Sequence, residues 1–412
     1  MGNVAQGQKP GQKITFLHIA DCHLGSWRDA KLRELGFESF SIAMNDAIAR
    51  NVDFVLISGD LFNTALPAID ILKQTVTLFR KVHQHKIPIY FIAGSHDYSP
   101  AGKTMLHIIE EAGLAKNVMQ GNVVDGKLVL APTIDAKTGV SLCGILGRAQ
   151  SLDQQYYEML DRESLHAIPH PKIFLFHCAL SEIKPKSMAD TPSAALSFLP
   201  KGFDYYAGGH VHYRFNQDIP SYGRLVYPGP TFPNNFAEIE ELGGGSYVVG
   251  TLDGTQVRAE HIFIQSPKPE MISLNCDGLD PLQVNEALGK VISSDIVGKI
   301  VMLRMKGTVK GSLTDVKLSE SVDAMLAKGA YAVLKNTAAL ESERFKRQTP
   351  TITSAANVED DVLAQSVDAK DIAASKALMQ TLHTQKFDGE TKDDFERRVT
   401  ESVFTILNIK KE

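Results

Sequence analysis

Cysteine is scarce in this chain: Cys22, Cys143, Cys178 and Cys276 are the only four in 412 residues, and no two share a paired spacing. A disulfide framework is excluded, and reduced thiols in a cytosolic protein are the simplest expectation. Long apolar runs are missing too. No stretch approaches the roughly 20 residues that span a bilayer, and the Gly/Gln-rich start does not read as a signal peptide. Gln6 stands where N-myristoylation needs Ser or Thr. An excess of positive charge is absent as well: 43 Lys and Arg face 48 Asp and Glu, a net charge of −5. The chain therefore does not coat nucleic acid electrostatically, and any such contact must be local, or assisted by metals or a partner.

What is present is an ordinary globular composition, 43% hydrophobic and 22% charged, in a chain long enough for two or three domains. Five apolar runs stand out: Ile14 to Ala20, Phe54 to Ser58, Ile87 to Ala93, Ile173 to Phe176 and Tyr205 to Ala207. Each reads as a strand buried on both faces. The segments between the first three have helical spacing, in Phe37, Phe40, Met44, Ala47 and Ile48, then in Ile71, Leu72, Thr75, Leu78 and Phe79. Alternation of strand and helix predicts an α/β fold with parallel neighbours. In open α/β sheets ligands bind beyond the carboxyl ends of the strands. There this sequence places Asp21-Cys22-His23, Gly59-Asp60, Gly94-Ser95-His96-Asp97, His177 and Gly208-Gly209-His210-Val211-His212. One polar residue after a strand is a turn; five such ends, each with Asp or His, predict enough oxygen and imidazole ligands for two metal ions.

The spacing supports that chemistry. Asp21 and His23 are two apart, so an extended chain points both to one side. The Asp60 carboxylate has two oxygens and can bridge two cations. Mixed carboxylate and imidazole ligation without thiolate suits Mn²⁺, Fe²⁺ or Zn²⁺ better than Mg²⁺. Cys22 and Cys178 flank ligands but alternate away from them and read as packing. His83 and His85 close a helix, where positive charge suits the dipole. His18, inside the first strand, reads as a hydrogen-bonded core residue. His107, His166, His170, His261 and His383 read as surface or packing.

Downstream, Ser266-Pro267-Lys268-Pro269 breaks the pattern as a linker. Met271 to Leu274, Ile300 to Met305 and Tyr331 to Leu334 read as strands, with helices marked by Val284, Leu288, Val291 and Ile292 and by Val322, Met325 and Leu326. This small α/β domain has no histidine, so chemistry is not expected in it. Glu341 to Asp361 reads as a flexible linker. Beyond it Ala374, Leu378 and Leu382, then Phe395, Val399, Val403 and Ile406, mark two amphipathic helices with a turn at Asp388-Gly389. They have too little core to fold alone and should dock, on their own catalytic domain or in a partner's groove. The expected layout is a disordered 1–12, a catalytic domain over 13–265, a cap over 266–340, a linker over 341–361 and a partner-binding tail over 362–412.

Taken together, the five segments resemble the calcineurin-like metallophosphoesterases. The strings Ile19-Ala20-Asp21-Cys22-His23-Leu24-Gly25, Ser58-Gly59-Asp60-Leu61-Phe62-Asn63 and Gly209-His210-Val211-His212 resemble the double-strand-break repair branch, the SbcD and meiotic-recombination-eleven nucleases. Further likeness lies in Tyr227-Pro228-Gly229, Phe236-Ala237-Glu238 and Leu303-Arg304-Met305-Lys306-Gly307. The resemblance implies a four-layer α/β/β/α sandwich with a capping domain and a C-terminal helix-loop-helix that binds an SMC-like ATPase of the SbcC type. By motif position Asp21, His23, Asp60 and His212 would hold one metal, and Asp60, Ser95, His177 and His210 the second. His96 would stand beside the scissile phosphate, oriented by Asp97. The family carries Asn where this chain has Ser95, a poorer ligand, so the second metal site is expected to be the weaker. The resemblance further implies two Mn²⁺ ions, 3′–5′ exonuclease and endonuclease action on DNA ends, and a homodimer with the Phe62 to Phe79 region as candidate interface. No membrane partner and a cytoplasmic, nucleoid-associated location are expected. Arg28, Lys31, Arg33, Lys103, Lys184 and Lys186 lie near ligand segments and could grip DNA phosphates. Two other readings stay open: a phosphodiesterase or phosphatase for a small substrate, and a non-catalytic scaffold for the ATPase.

Overall fold

The computed structural model describes residues 13–99, 104–148, 154–188, 191–343, 363, 367–368, 371–387 and 390–407. The expected disordered 1–12, residues 344–361 of the expected linker and the Asp388-Gly389 turn lie outside them. The chain divides into two units, one of Met1–Cys276, Leu282–Lys306 and Val316–Ala339, the other of Asp277–Pro281, Gly307–Asp315 and Leu340–Glu412.

In chain order the first unit runs β1 (Ile14–Ile19), α1 (Ala30–Ala49), β2 (Phe54–Ser58), α2 (Ile69–Gln84), β3 (Ile89–Ile92), α3 (Met105–Glu111), β4 (Lys116–Asn117), β5 (Gly121–Val124), β6 (Lys127–Leu130), β7 (Thr133–Ile134) and β8 (Ser141–Ile145). It continues with α4 (Gln154–Met159), α5 (Arg162–His166), β9 (Lys172–His177), β10 (Tyr205–Gly209), β11 (Phe215–Asp218), β12 (Arg224–Tyr227), α6 (Phe236–Leu242), β13 (Ser246–Asp253) and β14 (Gln256–Phe263). Two six-stranded sheets result, ordered β14-β13-β1-β2-β3-β4 and β11-β12-β10-β9-β8-β7. The central strands pair in parallel, β1 with β2 and β2 with β3 in one sheet, β8 with β9 and β9 with β10 in the other. Their carboxyl ends therefore share one rim.

The layers follow from which side chains alternate inward. Phe16, Phe54, Leu56 and Tyr90 of the first sheet bury against Leu142, Ile173, Leu175 and Tyr205 of the second. The other face of the first sheet packs on α1 and α2 through Phe40, Met44, Ile71, Leu78 and Phe79, all five at positions the helical spacing marked. The second sheet packs outward on Tyr157 and Leu165 of α4 and α5. Both faces of both sheets are covered, the α/β/β/α order expected.

After the irregular stretch 264–268 come β15 (Pro269–Asn275), α7 (Pro281–Ser293), β16 (Ile300–Val309), α8 (Leu318–Ala327) and β17 (Ala332–Ser342), a three-stranded sheet with β16 in the centre. The third strand is much longer than Tyr331 to Leu334, because its later residues alternate without an apolar run. Ile300, Met302 and Ala332 join Leu32, Leu35, Phe232 and Ile239 in one cluster, so this sheet packs on α1 and α6. In the second unit, α9 (Ile372–Leu382) and α10 (Lys392–Ile406) form as the sequence predicts, with no residue of either buried. Arg398 ties them, pairing with Glu390 and lying over the Phe387 and Phe395 rings.

Candidate metal centre

At the shared rim the backbone takes a conformation that side chains resist. Asp21, His23, Asp60 and His210 have φ of 52°, 41°, 51° and 87°, half of the eight non-glycine residues with positive φ among the described residues. Each such residue costs about 1–3 kcal/mol and persists only where its surroundings fix it. Here the amides of Asp21 and His23 donate to the carbonyls of Gly59 and Asp60 at 3.1 and 3.0 Å, and Asp21 Oδ1 accepts from the His210 amide at 2.8 Å. Asp60 Oδ1 accepts from the His96 amide at 2.8 Å. Glycine is required where strands crowd these groups: a Cβ on Gly94 would lie 2.2 Å from Asp60 Oδ1, and one on Gly59 2.2 Å from His177 Nδ1.

These turns aim seven side chains at one place. Asp21, His23 and His212 form one group with ligand atoms all within 4.8 Å; Asp60, His177 and His210 form another, and His23, Asp60 and His96 a third. Asp60 belongs to two, as a bridging carboxylate must. His23 Nε2 stands 3.1 Å from His212 Nε2 and 3.7 Å from Asp60 Oδ2. His177 donates from Nδ1 to the Ser58 carbonyl at 2.7 Å. Its Nε2 lies 3.2 Å from Asp60 Oδ2, too poorly aligned to be a hydrogen bond. His177 Nε2 and His23 Nδ1 are buried without hydrogen-bond partners, a rare state for polar atoms unless something else satisfies them. Orphaned imidazole nitrogens beside buried carboxylates, with no thiolate among them, fit divalent cations.

Burial and mutual contact shift these groups in opposite directions. Burial pushes His23 down to about 3 and His210 down to about 4, leaving neutral rings with free lone pairs. Burial also raises Asp21, to about 6, against the pull of His212 and His177. For Asp60 burial is outweighed by His177 and His23, which hold its carboxyl far below the usual range. His177 in turn rises to about 10 despite its burial, because Asp60 faces it.

A family model described as calcineurin-like phosphoesterase matches residues 14–214. Several relatives are named "DNA double-strand break repair protein Mre11". That of Methanocaldococcus jannaschii is 30% identical over 292 residues, 68% of this chain and 73% of its own length. The Archaeoglobus fulgidus protein is 24% identical over 66% of this chain and 62% of its own, and the Methanococcus maripaludis protein 28% over 58% and 64%. The chain belongs to the calcineurin-like phosphoesterases, in their Mre11 branch. As a member it is a metal-dependent phosphoesterase.

Within that family frame, the remaining expected residues divide. Ser95 sits half-buried in the turn between Gly94 and His96. His96 is exposed at the mouth, edge-on to His23 with ring centres 4.7 Å apart. Asp97 does not orient it. The buried Asp97 carboxylate accepts from the amides of Leu61, Phe62 and Gly94 at 3.2, 3.0 and 3.0 Å, pinning two ligand loops together. The Asn63 carbonyl, 2.9 Å from His96 Nδ1, takes the orienting place. Among the proposed DNA-gripping cations, Lys31 donates to the Tyr331 carbonyl at 3.1 Å, Arg33 to that of Trp27 at 3.4 Å and Lys184 to that of Thr191 at 2.8 Å. Arg28 and Lys186 are exposed and make no such bond among the described residues; Lys103 lies outside them. His18 is a core residue, bonded to Tyr205 Oη and Ser58 Oγ.

Glu238 is the functional residue that ligand spacing missed. It sits in the first turn of α6, caps that helix with Asn235 (Glu238 N to Asn235 Oδ1, 3.0 Å) and accepts from His212 Nδ1 at 2.9 Å. That contact fixes the tautomer of His212 and turns its Nε2 inward. The one sequence signal was the family-like string Phe236-Ala237-Glu238.

Proposed function

We propose that this chain is a Mn²⁺-dependent DNA nuclease, with 3′–5′ exonuclease and endonuclease action, and the nuclease subunit of a double-strand-break repair complex. Asp21, His23, Asp60 and His212 would hold one cation, and Asp60, Ser95, His177 and His210 the other. Two such ions, when bound, supply an activated water and neutralise charge on the phosphoryl oxygens. The chain's own residues then do the rest. Asp97 keeps the Asp60 and His96 loops in register, Glu238 holds His212, and His96 presents its free ring nitrogen at the open mouth, where it stabilises the transition state or protonates the departing sugar oxygen.

The observation that carries the DNA reading is the reach of the likeness. Identity to the Methanocaldococcus jannaschii protein runs over 292 residues, well beyond the 14–214 stretch that any phosphoesterase of the family shares. In this reading the part-exposed apolar residues of α9 and α10 take an SbcC-type ATPase, DNA ends are the substrate and two copies pair. The small-substrate reading draws on the charge: the chain is net −5, and Lys31, Arg33 and Lys184 are each bonded to a backbone carbonyl. Incubation with Mn²⁺ and end-labelled duplex DNA, beside bis(p-nitrophenyl) phosphate, separates the two. Cleavage of DNA is expected; hydrolysis of the ester with DNA left intact, alone and with the ATPase, would give the site to a small substrate.

A further inference from the structure

Beside the metal centre lies a cavity of about 310 Å³, lined on one side by His177 and His210 and on another by Arg148, with Gln154, Thr191 and Ser193 on its wall. That volume is at the lower end of ligand pockets, which run from roughly 300 to 1,000 Å³. Arg148 follows β8, where the Gly147 amide bonds the Ala93 carbonyl at 2.9 Å. Its guanidinium has no hydrogen bond or ion pair among the described residues, and Nε is buried without a partner. Two rings hold it instead: the Tyr98 and Tyr156 ring centres lie 4.8 and 6.0 Å from Cζ.

An unpaired, half-buried guanidinium is costly unless something completes it. Cation–π contacts engage its charge through the rings' faces and satisfy none of its N–H groups. All five donors lie in the guanidinium plane, in a fork that fits phosphate oxygens two at a time. The hydroxyls of Thr191 and Ser193 add neutral donors to the same wall. The cavity also shares two residues with the centre that takes the scissile phosphate, so a ligand in it adjoins the reacting group.

We propose that this cavity is a second phosphate subsite, in which Arg148 grips a phosphate of the substrate strand next to the one being cleaved. The proposal rests on the nuclease reading and refines it: the enzyme recognises a chain of phosphates, and a substrate with a single phosphodiester lacks half of what the site binds.

The test uses the full chain with Mn²⁺ and three substrates: a dinucleoside monophosphate, the same molecule with an added terminal phosphate at its 5′ or 3′ end, and bis(p-nitrophenyl) phosphate. A charge-assisted bond predicts that wild type prefers one of the phosphorylated forms by about 10–100-fold in kcat/KM, chiefly through KM. Arg148→Gln should erase that preference and Arg148→Lys keep part of it, with melting midpoints recorded for both. Titration calorimetry of the phosphorylated dinucleotide into metal-free protein should show the same ranking without turnover. A wild type that cleaves the dinucleotides with no preference at either end, or a Gln variant that keeps the preference, overturns the subsite and leaves the nuclease reading intact. Hydrolysis of the small ester with no dinucleotide cleaved, and with duplex DNA left intact in the experiment above, overturns both.

Discussion

Single residues set the chemistry of this centre, and three can be changed with distinct results. The His96 ring is exposed and held by the Asn63 carbonyl, while its backbone amide donates to Asp60 Oδ1, a bond that truncating the side chain leaves in place. His96→Ala should keep metal binding and thermal stability while nuclease turnover falls about 10²–10⁴-fold; a variant that turns over normally, or loses metal, removes the role. In the proposed ligand set Ser95 would offer the second cation only a neutral hydroxyl. A Mn²⁺ titration should therefore resolve one tight and one weaker site, and Ser95→Asn should tighten the weaker one several-fold; two equal sites in wild type would contradict this. Gly94 has no room for a methyl group beside Asp60. Gly94→Ala should displace the bridging carboxylate, lower both affinities and reduce the melting midpoint, all readable in one calorimetric and one thermal experiment.

At the scale of elements, the sequence showed what is local and concealed what depends on pairing at a distance. Five apolar strands ending in Asp or His were visible because each ligand lies within a few residues of the strand that positions it. Glu238 was not, because it reaches His212 from another element, α6, 26 residues downstream, and no spacing rule links them. The same holds for Lys31, whose amine is taken by the Tyr331 carbonyl 300 positions away, and for Asp97, two of whose three partners are amides of a different loop. The short edge strands and the polar half of β17 carry no apolar run to mark them. Helix α6 also joins the site to the capping sheet, since Ile239 packs with Ile300 and Met302 while Arg304 pairs with Glu240 at 2.5 Å. Removing the anchor at its first turn tests that link. Glu238→Ala should weaken the first metal site about 10–100-fold, as loss of a carboxylate behind a ligating histidine does. Glu238→Gln, which still accepts from Nδ1, should cost less; equal affinity in all three proteins would make Glu238 a helix cap alone.

For the whole molecule, two sheets with parallel central strands, packed face to face, bring five ligand-bearing strand ends together, and the strained turns there show what the fold is built to hold. Left-handed backbone at Asp21, His23, Asp60 and His210 has no use in a scaffold, and its persistence argues that ligation is retained. The capping sheet and the paired helices α9 and α10 extend the chain past what a minimal phosphoesterase needs, in keeping with a substrate larger than a single ester. The account stands on two cations sharing Asp60. Crystals soaked in Mn²⁺ and measured for anomalous scattering test that directly. Two peaks about 3.5–4 Å apart are expected, one against Asp21, His23, Asp60 and His212 and a fainter one against Asp60, Ser95, His177 and His210. A single peak, or ions that leave Asp60 unshared, would contradict it.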